Sequence, residues 1–580
     1  MAYRAMDDAT MRDNNPWLYT DPDIINSLPF SILPKGGFYN KTDYRMFSYD
    51  FRLSASWNKV FGNDNIINLY AGMEANAQDR SNNAFQGWGM QYDNGEIPYF
   101  DYNAFKKMRE DNSDYYSLTN TKRRTLAYFA TGTYSYQGRY SLTGTFRYEG
   151  SNRLGKARSA RWLPTWNIGV AWNMHEEKFF EKLQPALSHF TLKSSYSLTA
   201  DAGPADVTNS FVNINSYTPW RPSASVGESG LHIVELENGD LTYEKKHEIN
   251  VGVDMGFLNN RINMELAWYK RNNYDLIGAV LTQGVGGETR RNANLASMKS
   301  HGYEVSLSTQ NIVTKDFQWT TDFIFGYSKT KITDLKSQTY LFDLVTGYGQ
   351  REGYDWGSLF SIPFAGLDED GFPTFWWNGE LIDKTNYGSI NFQQIQDVDF
   401  LKYEGPRDPT ITGSFGNVFK YKGFKLNVFI TYSAGNKVRL DPQFSSTYND
   451  LDATPKDFKN RWMLPGEEKI TNIPVIPSAR DNQKYSNLNY AYNAYNYSDA
   501  RIADGGFIRM KEISLTYDFP KALLGSQNIL KTLSLKVQAT NLFLIYSDDK
   551  LNGQDPEFFN SGGVAAPVPK QFTFTLRAGF

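Results

Sequence analysis

Aromatic rings stand beside amide and carboxylate groups in one long segment of the chain, residues 330–409. Flat apolar faces next to polar groups can stack on sugar rings or grip peptide side chains. We therefore predict a substrate-binding set in this segment. It consists of Trp356, Phe375, Trp376, Trp377 and Asn378. The alternative is that the rings pack the segment against its neighbours, since a loop of about 80 residues needs a small core of its own.

Other residues with chemical potential do not form a recognisable catalytic or metal-binding pattern. The chain has no cysteine, and its five histidines lack the HExxH spacing of zinc enzymes. The sequence at Asp368–Gly371 resembles a calcium loop but lacks the later ligands, so a turn explains it better. The glycines at 284–287 lack the strand-to-helix context of a nucleotide site. We expect no enzyme activity, no metal and no cofactor.

Composition narrows the class of protein. The formal net charge of −3 argues against a nucleic-acid partner. No window approaches 18 consecutive apolar residues, which excludes helical membrane spans. Aromatic residues make up 16% of the chain, as expected for the interfacial girdles and aromatic-lined lumen of a membrane barrel. A soluble sugar-binding all-β protein can be equally aromatic.

The last ten residues alternate between apolar and polar side chains. Because successive strand residues point to opposite faces, Phe572, Phe574 and Phe580 share one face, while Thr573 and Arg577 share the other. An apolar outer face, a polar inner face and a terminal aromatic are typical of the closing strand of an outer-membrane β-barrel. Taken alone, the segment fits the last strand of a soluble β-sandwich about equally well.

The whole chain follows the same alternation. It predicts fifteen strands at 44–60, 66–78, 124–136, 140–150, 164–174, 189–199, 243–258, 261–276, 298–310, 316–329, 410–421, 423–434, 506–519, 532–546 and 570–580. Short turns alternate with long connections at 79–123, 151–163, 200–242, 277–297, 330–409, 435–505 and 547–569. Barrels of the outer membrane have short periplasmic turns and long external loops. Charged inner-face residues such as Glu265 and Lys536 predict a wide, watered lumen.

Short pieces along nearly the whole chain resemble the SusC/RagA family of TonB-linked outer-membrane transporters, and they follow in the family's order. They include Arg147–Arg153, Gly169–Trp172, Gly252–Asp254, Phe257–Arg261, Gly302–Glu304, Pro409–Phe415, Asp504–Lys511, Thr540–Phe543 and Asp555–Glu557. Each piece is weak alone, but their shared order is specific. The sequence departs from the family's pattern at two places, which indicates a subgroup with a different cargo. Tyr148-Glu149 stands in place of Tyr-Asp, and Leu198–Gly203 stands in place of a Thr-Gly-Asn turn.

The resemblance implies a barrel of 22 strands, of which this chain looks like the last fifteen. We expect that a signal peptide, a plug, a TonB box and the first strands are missing. Two observations fit this expectation: the strand count is odd, and the N-terminus does not resemble a signal peptide. We expect an antiparallel transmembrane β-barrel that is open or incomplete. Phe580 would be the C-terminal signal read by the barrel-insertion machinery.

The predicted organisation is an extracellular loop remnant at 1–43 followed by a partial TonB-dependent-receptor barrel at 44–580. Its long extracellular loops are 79–123, 200–242, 330–409 and 435–505.

The resemblance further implies a nutrient importer of the Gram-negative outer membrane that takes up oligosaccharides or oligopeptides. Its partners would be a SusD-like lipoprotein, TonB acting through the plug, and outer-membrane lipid. The alternatives are a non-transporting scaffold or adhesive barrel, or a passive pore. A soluble secreted glycan-binding protein or hydrolase is disfavoured.

Overall fold

A single antiparallel sheet of fifteen strands dominates the chain in this computed structural model. The structure describes residues 37–62, 64–92, 95–96, 115–153, 161–201, 203, 212–217, 230–236, 241–284, 290–442, 444–448, 454–520, 530–559 and 567–580. Parts of the predicted loops lie outside these ranges, among them 1–36, 97–114, 204–211 and 218–229.

The strands of the large sheet pair in chain order. They are β1 (Gly37–Phe61), β2 (Asn65–Met90), β3 (Tyr116–Tyr136), β4 (Tyr140–Ser151), β5 (Trp162–Asn173), β6 (Leu187–Asp201), β9 (Glu244–Phe257), β10 (Ile262–Leu281), β11 (Arg290–Val313), β12 (Phe317–Leu335), β18 (Ile411–Tyr421), β19 (Phe424–Ala434), β22 (Phe507–Asp518), β23 (Thr532–Tyr546) and β24 (Gln571–Gly579). The prediction of fifteen strands is confirmed, and each predicted range overlaps one of them.

The remaining elements are short and lie in the connections. The small strands are β7 (Asn213–Tyr217), β8 (Gly230–Glu235), β13 (Ser358–Ser361), β14 (Phe364–Leu367), β15 (Pro373–Trp377), β16 (Glu380–Ile382), β17 (Lys402–Pro406), β20 (Lys437–Arg439) and β21 (Ile502–Asp504). The α-helices are α1 (Leu341–Thr346), α2 (Ala479–Lys484) and α3 (Leu488–Asn496). Single 3₁₀ turns occur at Met174–Glu176, Lys178–Leu183, Tyr387–Ser389, Lys456–Asn460, Glu467–Lys469, Asp499–Arg501, Asp549–Leu551 and Pro556–Phe558. Among the described residues, no helix has the length and apolar character needed to cross a membrane.

The first three strands extend further than the sequence indicated. β1 begins at Gly37 rather than 44, β2 continues to Met90, and β3 begins at Tyr116, inside the predicted loop 79–123. The apolar–polar alternation fades here, because these strand ends carry polar side chains on both faces. Backbone pairing alone continues the sheet, as in the register of Lys41 with Phe85. Periodicity therefore placed the starts of β1 and β3 too late and the end of β2 too early.

Aromatic side chains on the outer face form two rows. Near the short turns, Tyr140 stacks on Trp172 with ring centroids 6.2 Å apart, and Trp319 on Phe419 at 5.7 Å. Tyr327 lies eight positions after Trp319 on β12, about 26 Å at roughly 3.3 Å per residue. With a strand tilt of about 35–45°, that length corresponds to a band about 20 Å tall, of the same order as the roughly 25 Å apolar height of outer-membrane barrels.

Charged side chains on the inner face are paired across strands. Arg52 of β1 pairs with Glu74 of β2, whose other oxygen lies 2.7 Å from Arg147 of β4. Arg147 also contacts Glu149 at 2.6 Å. The two arginines would each cost roughly 2–4 kcal/mol if they faced lipid at the bilayer midplane, and the carboxylates somewhat less. The network therefore identifies the polar face as the one turned away from lipid.

The sheet does not close on itself within the part of the chain that the structure describes. There β1 pairs only with β2, and β24 pairs only with β23. The prediction of an open or incomplete barrel is confirmed.

A compact body, here called the loop domain, is built from residues 336–410, 435–442, 444–448 and 454–506 at the end of the sheet opposite the short turns. Its core is aromatic, and Phe360, Tyr387 and Tyr492 are almost completely buried there. The small sheets β13–β17, β14–β15–β16 and β20–β21 surround this core. Two connections that the sequence indicated only as long loops thus fold together into one body.

We predict that Gly302→Ala destabilises the sheet by about 1–3 kcal/mol. The Tyr269 ring lies over Gly302, and its hydroxyl donates to Ser328 Oγ at 2.9 Å, so that one side chain spans three strands. A methyl group at 302 would overlap that ring. Denaturant unfolding in detergent, followed by tryptophan fluorescence, measures the change.

Gly252→Ala is the matched control, because a methyl group there meets its nearest atom at 3.7 Å. Equal stability of the two variants would contradict the proposed role of the Tyr269 ring.

Candidate functional site

The predicted aromatic set lies mainly on a three-stranded sheet of the loop domain. β15 and β16 are joined by Asn378 and Gly379, which adopt φ values of 52° and 83°. An Asn-Gly pair with positive φ is the usual two-residue hairpin turn. Because side chains alternate along β15, Phe375 and Trp377 point into the core while Trp376 points outward.

Burial divides the five predicted residues into two groups. Phe375 is 0% and Trp377 is 5% exposed, and the Trp377 ring lies 4.8 Å from that of Phe400. These two residues lie in the core of the loop domain, as the packing alternative describes, and their contact with substrate stays a prediction. Trp356 and Trp376 are each about half exposed, at 47% and 49%, and Asn378 is also exposed. For Trp356, Trp376 and Asn378, contact with substrate stays a prediction.

The structure also reveals a charged cavity that the sequence did not indicate. It has a volume of about 930 Å³ and lies between the loop domain and the end of β23. Its charged lining residues are Lys402, Glu404, Lys437, Asp499, Asp504, Asp548, Asp549 and Lys550. Three ammonium groups and five carboxylates therefore face one space.

Ion pairs connect several of the charged side chains that line this cavity. Lys402 Nζ lies 3.0 Å from Asp499 and 3.5 Å from Glu404, and Lys437 Nζ lies 3.2 Å from Asp504. The hydrogen bond to Asp499 raises the pKa of Lys402. Burial raises the pKa of Glu404, and the nearby Asp499 adds to that effect. An arrangement with both signs of charge can receive a ligand that carries ammonium and carboxylate groups together.

Sequence reasoning missed this cavity because its residues come from four distant segments. Lys402 and Glu404 lie on β17, Lys437 on β20, Asp499 beside β21, and Asp548 beyond β23. No spacing along the chain brings them together. Only the pairing of β20 with β21 and the folding of the loop domain do so.

A second cavity of about 760 Å³ lies nearby, lined by Arg407, Lys437, Lys511 and Glu557 among others. Arg509 stands beside it in an ion pair with Asp555 at 2.5 Å and with Glu557 at 3.0 Å. The side chains of Arg509 and Asp555 are only 5% and 7% exposed. This buried pair fixes residues 555–557 against the sheet.

Arg439 joins the separate segments of the loop domain. Its guanidinium donates to the carbonyl oxygens of Val345 (3.0 Å), Phe360 (2.6 Å) and Ser498 (3.1 Å), and to Ser361 Oγ (3.0 Å). Burial lowers the pKa of Arg439 to about 10. One side chain thus satisfies carbonyl groups from three segments, and the walls of the charged cavity depend on their alignment.

Phe580 follows β24 at the end of the sheet that carries the short turns. Its ring is 77% exposed, and its main-chain oxygen accepts a hydrogen bond from Lys531 Nζ at 3.3 Å. Its role as a barrel-insertion signal stays a prediction.

Comparison with known proteins gives a consistent result. The family model described as "TonB dependent receptor-like, beta-barrel" matches residues 3–441. TonB-dependent receptor P39 of Formosa agariphila is 26% identical over 566 residues, covering 90% of this chain and 51% of that protein. TonB-dependent receptor SusC of Bacteroides thetaiotaomicron is 25% identical over 509 residues, covering 81% and 44%. The chain spans about half the length of these curated relatives.

Among solved structures, the RagAB peptide importer in its closed-closed state superimposes with a TM-score of 0.75 at 20% identity. The match covers 94% of this chain and 57% of that chain. At this level of identity the similarity shows a shared fold.

We predict that Arg439→Met loosens the loop domain, because buried carbonyl acceptors left unpaired cost about 1–3 kcal/mol each. Hydrogen exchange at 358–361 and 496–498 should rise at least tenfold, and proteases should cut the domain faster. The exposed Arg480→Met is the control. Exchange at the wild-type rate in the Arg439 variant would contradict its joining role.

Proposed function

The chain belongs to the TonB-dependent receptor-like β-barrel family and is an outer-membrane protein, and from that premise we propose that it forms the wall and external loops of a nutrient importer. The observation that carries the proposal is the charged cavity between the loop domain and β23. It lies at the end of the sheet that carries the long connections, where cargo would enter. The polar inner face provides the surface along which cargo would pass.

Oligopeptides are the cargo that fits this cavity best. A short peptide carries an ammonium group, a carboxylate and frequently charged side chains, which match a space lined by lysines and acids. Lys402 and Lys437 can donate hydrogen bonds to carboxylates, and Asp548 and Asp549 can accept them from an ammonium group. The structural similarity to the RagAB peptide importer is consistent with this choice but rests on fold alone.

A second cargo class, oligosaccharides, is favoured by one specific observation. Trp356 and Trp376 expose indole rings on the loop domain, and Asn378, two positions after Trp376, is an exposed amide. Indole faces stack on sugar rings. Substitutions at different residues should weaken binding of peptides and of oligosaccharides, so mutagenesis can distinguish the two cargo classes.

A SusD-like lipoprotein is the proposed partner at the external surface, with TonB as the energy source acting through a plug. Support for a protein partner comes from Met463, Leu464 and Ile470, which are 55%, 65% and 84% exposed within one short segment of the loop domain. Neighbouring exposed apolar side chains are typical of surfaces that other proteins cover.

We predict that the double variant Lys402→Met/Lys437→Met binds short peptides at least tenfold more weakly than the wild type. Each charge-assisted hydrogen bond contributes about 1.5–3 kcal/mol, and tenfold in affinity is about 1.4 kcal/mol. Isothermal titration of the purified protein with mixed di- to pentapeptides measures the change. Lys469→Met, an exposed lysine outside the cavity, is the control.

The same titrations decide between cargo classes. The peptide assignment would be overturned in favour of sugars by two results together. The wild type and all variants would fail to bind peptides, and the affinity for oligosaccharides would be lower in Trp376→Ala than in the wild type.

We further predict that cellular uptake of the cargo stops when the TonB system is deleted, because import against a gradient needs energy from the inner membrane. Labelled cargo accumulation in otherwise matched strains is the measurement. Accumulation that persists without TonB would indicate a passive pore, and a protein that binds cargo without any uptake would indicate a scaffold.

A further inference from the structure

We propose that the membrane-facing surface of β10, β11 and β12 binds the phosphate groups of outer-leaflet glycolipid. Four lysines and one histidine, here called the cationic patch, carry this inference. They are Lys270, Lys299, His301, Lys329 and Lys331. The inference uses the orientation of the proposed function, with the long connections outside, but it concerns lipid rather than cargo.

Strand register places the five side chains on one face. Lys270 lies opposite His301, and His301 opposite Lys329. In the next row, Lys299 lies opposite Lys331. Directly paired residues share a face, with Cβ atoms about 4.5–5.5 Å apart. The cationic patch is therefore two rows deep and up to three strands wide.

The same register shows that this face is the one turned to lipid. Leu266 pairs with Val305, and Val305 with Phe325, further towards the short turns. An apolar row of this kind is expected against acyl chains. The inner face of β10 instead carries Arg271, which is paired with Glu248 at 2.9 Å.

An aromatic row separates the apolar surface from the cationic patch. Trp268, Tyr303 and Tyr327 pair across the three strands, and the two tyrosine rings lie 6.2 Å apart. Tyrosine and tryptophan rings collect at the level of lipid headgroups. The patch begins two residues further along each strand, about 7 Å beyond the rings. Its depth therefore matches the headgroup region of the outer leaflet.

Only part of the positive charge is compensated by protein. Asp355 lies 3.4 Å from Lys329, and it also accepts a hydrogen bond from the Tyr403 hydroxyl at 2.6 Å. Asp334 stands one row beyond the patch, opposite Ser297. Asp355 also lies opposite Lys331 in an isolated β-bridge, so it stands beside both lysines of β12. Within the described residues, no carboxylate forms an ion pair with Lys270, Lys299 or Lys331.

That arrangement contrasts with the inner face, where Arg52, Arg147, Lys193 and Arg271 all have acidic partners. Adjacent like charges repel, and directly opposed ones destabilise a sheet. An external anion that bridges the rows would remove this repulsion. Glycolipid of the outer leaflet supplies phosphates at this depth. Its acyl chains would lie against the apolar row formed by Leu266, Val305 and Phe325.

The test is native mass spectrometry of the detergent-purified protein titrated with diphosphorylated lipid A. We expect the variant Lys270→Gln/Lys299→Gln/Lys331→Gln to bind it about 100-fold more weakly, since each lysine near an anionic surface contributes roughly a fivefold factor. Lys456→Gln/Lys459→Gln/Lys469→Gln in the loop domain is the control and should bind like the wild type. Single variants, each about fivefold weaker, keep the test valid if the triple variant folds poorly.

Two further arms identify the occupant. Dephosphorylated lipid A should bind both proteins equally weakly, and millimolar inorganic phosphate should not displace the intact lipid. The proposal is overturned if the triple variant binds lipid A like the wild type, if phosphate alone displaces the lipid, or if the substitutions instead dissociate an oligomer, which would assign the patch to a second copy. Cargo titration should be unchanged in the triple variant, so a failure here is distinguishable from a failure of the proposed import function.

Discussion

The fold depends on one constraint, namely that every backbone amide and carbonyl within the membrane must find a partner in the protein. Cross-strand pairing in the fifteen-stranded sheet meets it, and the pleat then assigns alternate side chains to lipid and to lumen. Two consequences follow from that assignment. On the inner face, Arg52 and Arg147 both pair with Glu74. On the outer face, the membrane boundary is marked by Trp268, Tyr303 and Tyr327.

Beyond the membrane boundary the constraint is relaxed, and the chain builds structure by other means. The loop domain has an aromatic core, and Arg439 satisfies carbonyl groups that no regular sheet reaches. Water competes for hydrogen bonds outside the bilayer, so irregular segments cost less there. Because irregular backbone is tolerated there, charged residues from four segments can lie around one cavity. Function is thus concentrated where the backbone is least regular, while the sheet positions it.

The sequence predicted the sheet well because a period of two is a local signal. The strand count, their order and the two faces follow from side-chain alternation, and the open edge was also expected. The loop domain was not predictable in this way. The Asn378-Gly379 pair did signal a hairpin, and reading it would have separated the buried Phe375 and Trp377 from the exposed Trp376. The pairing of Lys402 with Asp499 had no signal, because 97 positions separate them.

The central claim is that one face of the sheet meets lipid and the other meets water. The chain contains no cysteine, so spin labels can be placed singly at Asn427→Cys and Val428→Cys of β19 without other changes. Electron paramagnetic resonance in reconstituted bilayers would then compare collision with oxygen, which concentrates in lipid, and with a water-soluble nickel complex. The account predicts that the label at 427 collides mainly with nickel and the label at 428 mainly with oxygen. Equal accessibility of both labels to the nickel complex would contradict it.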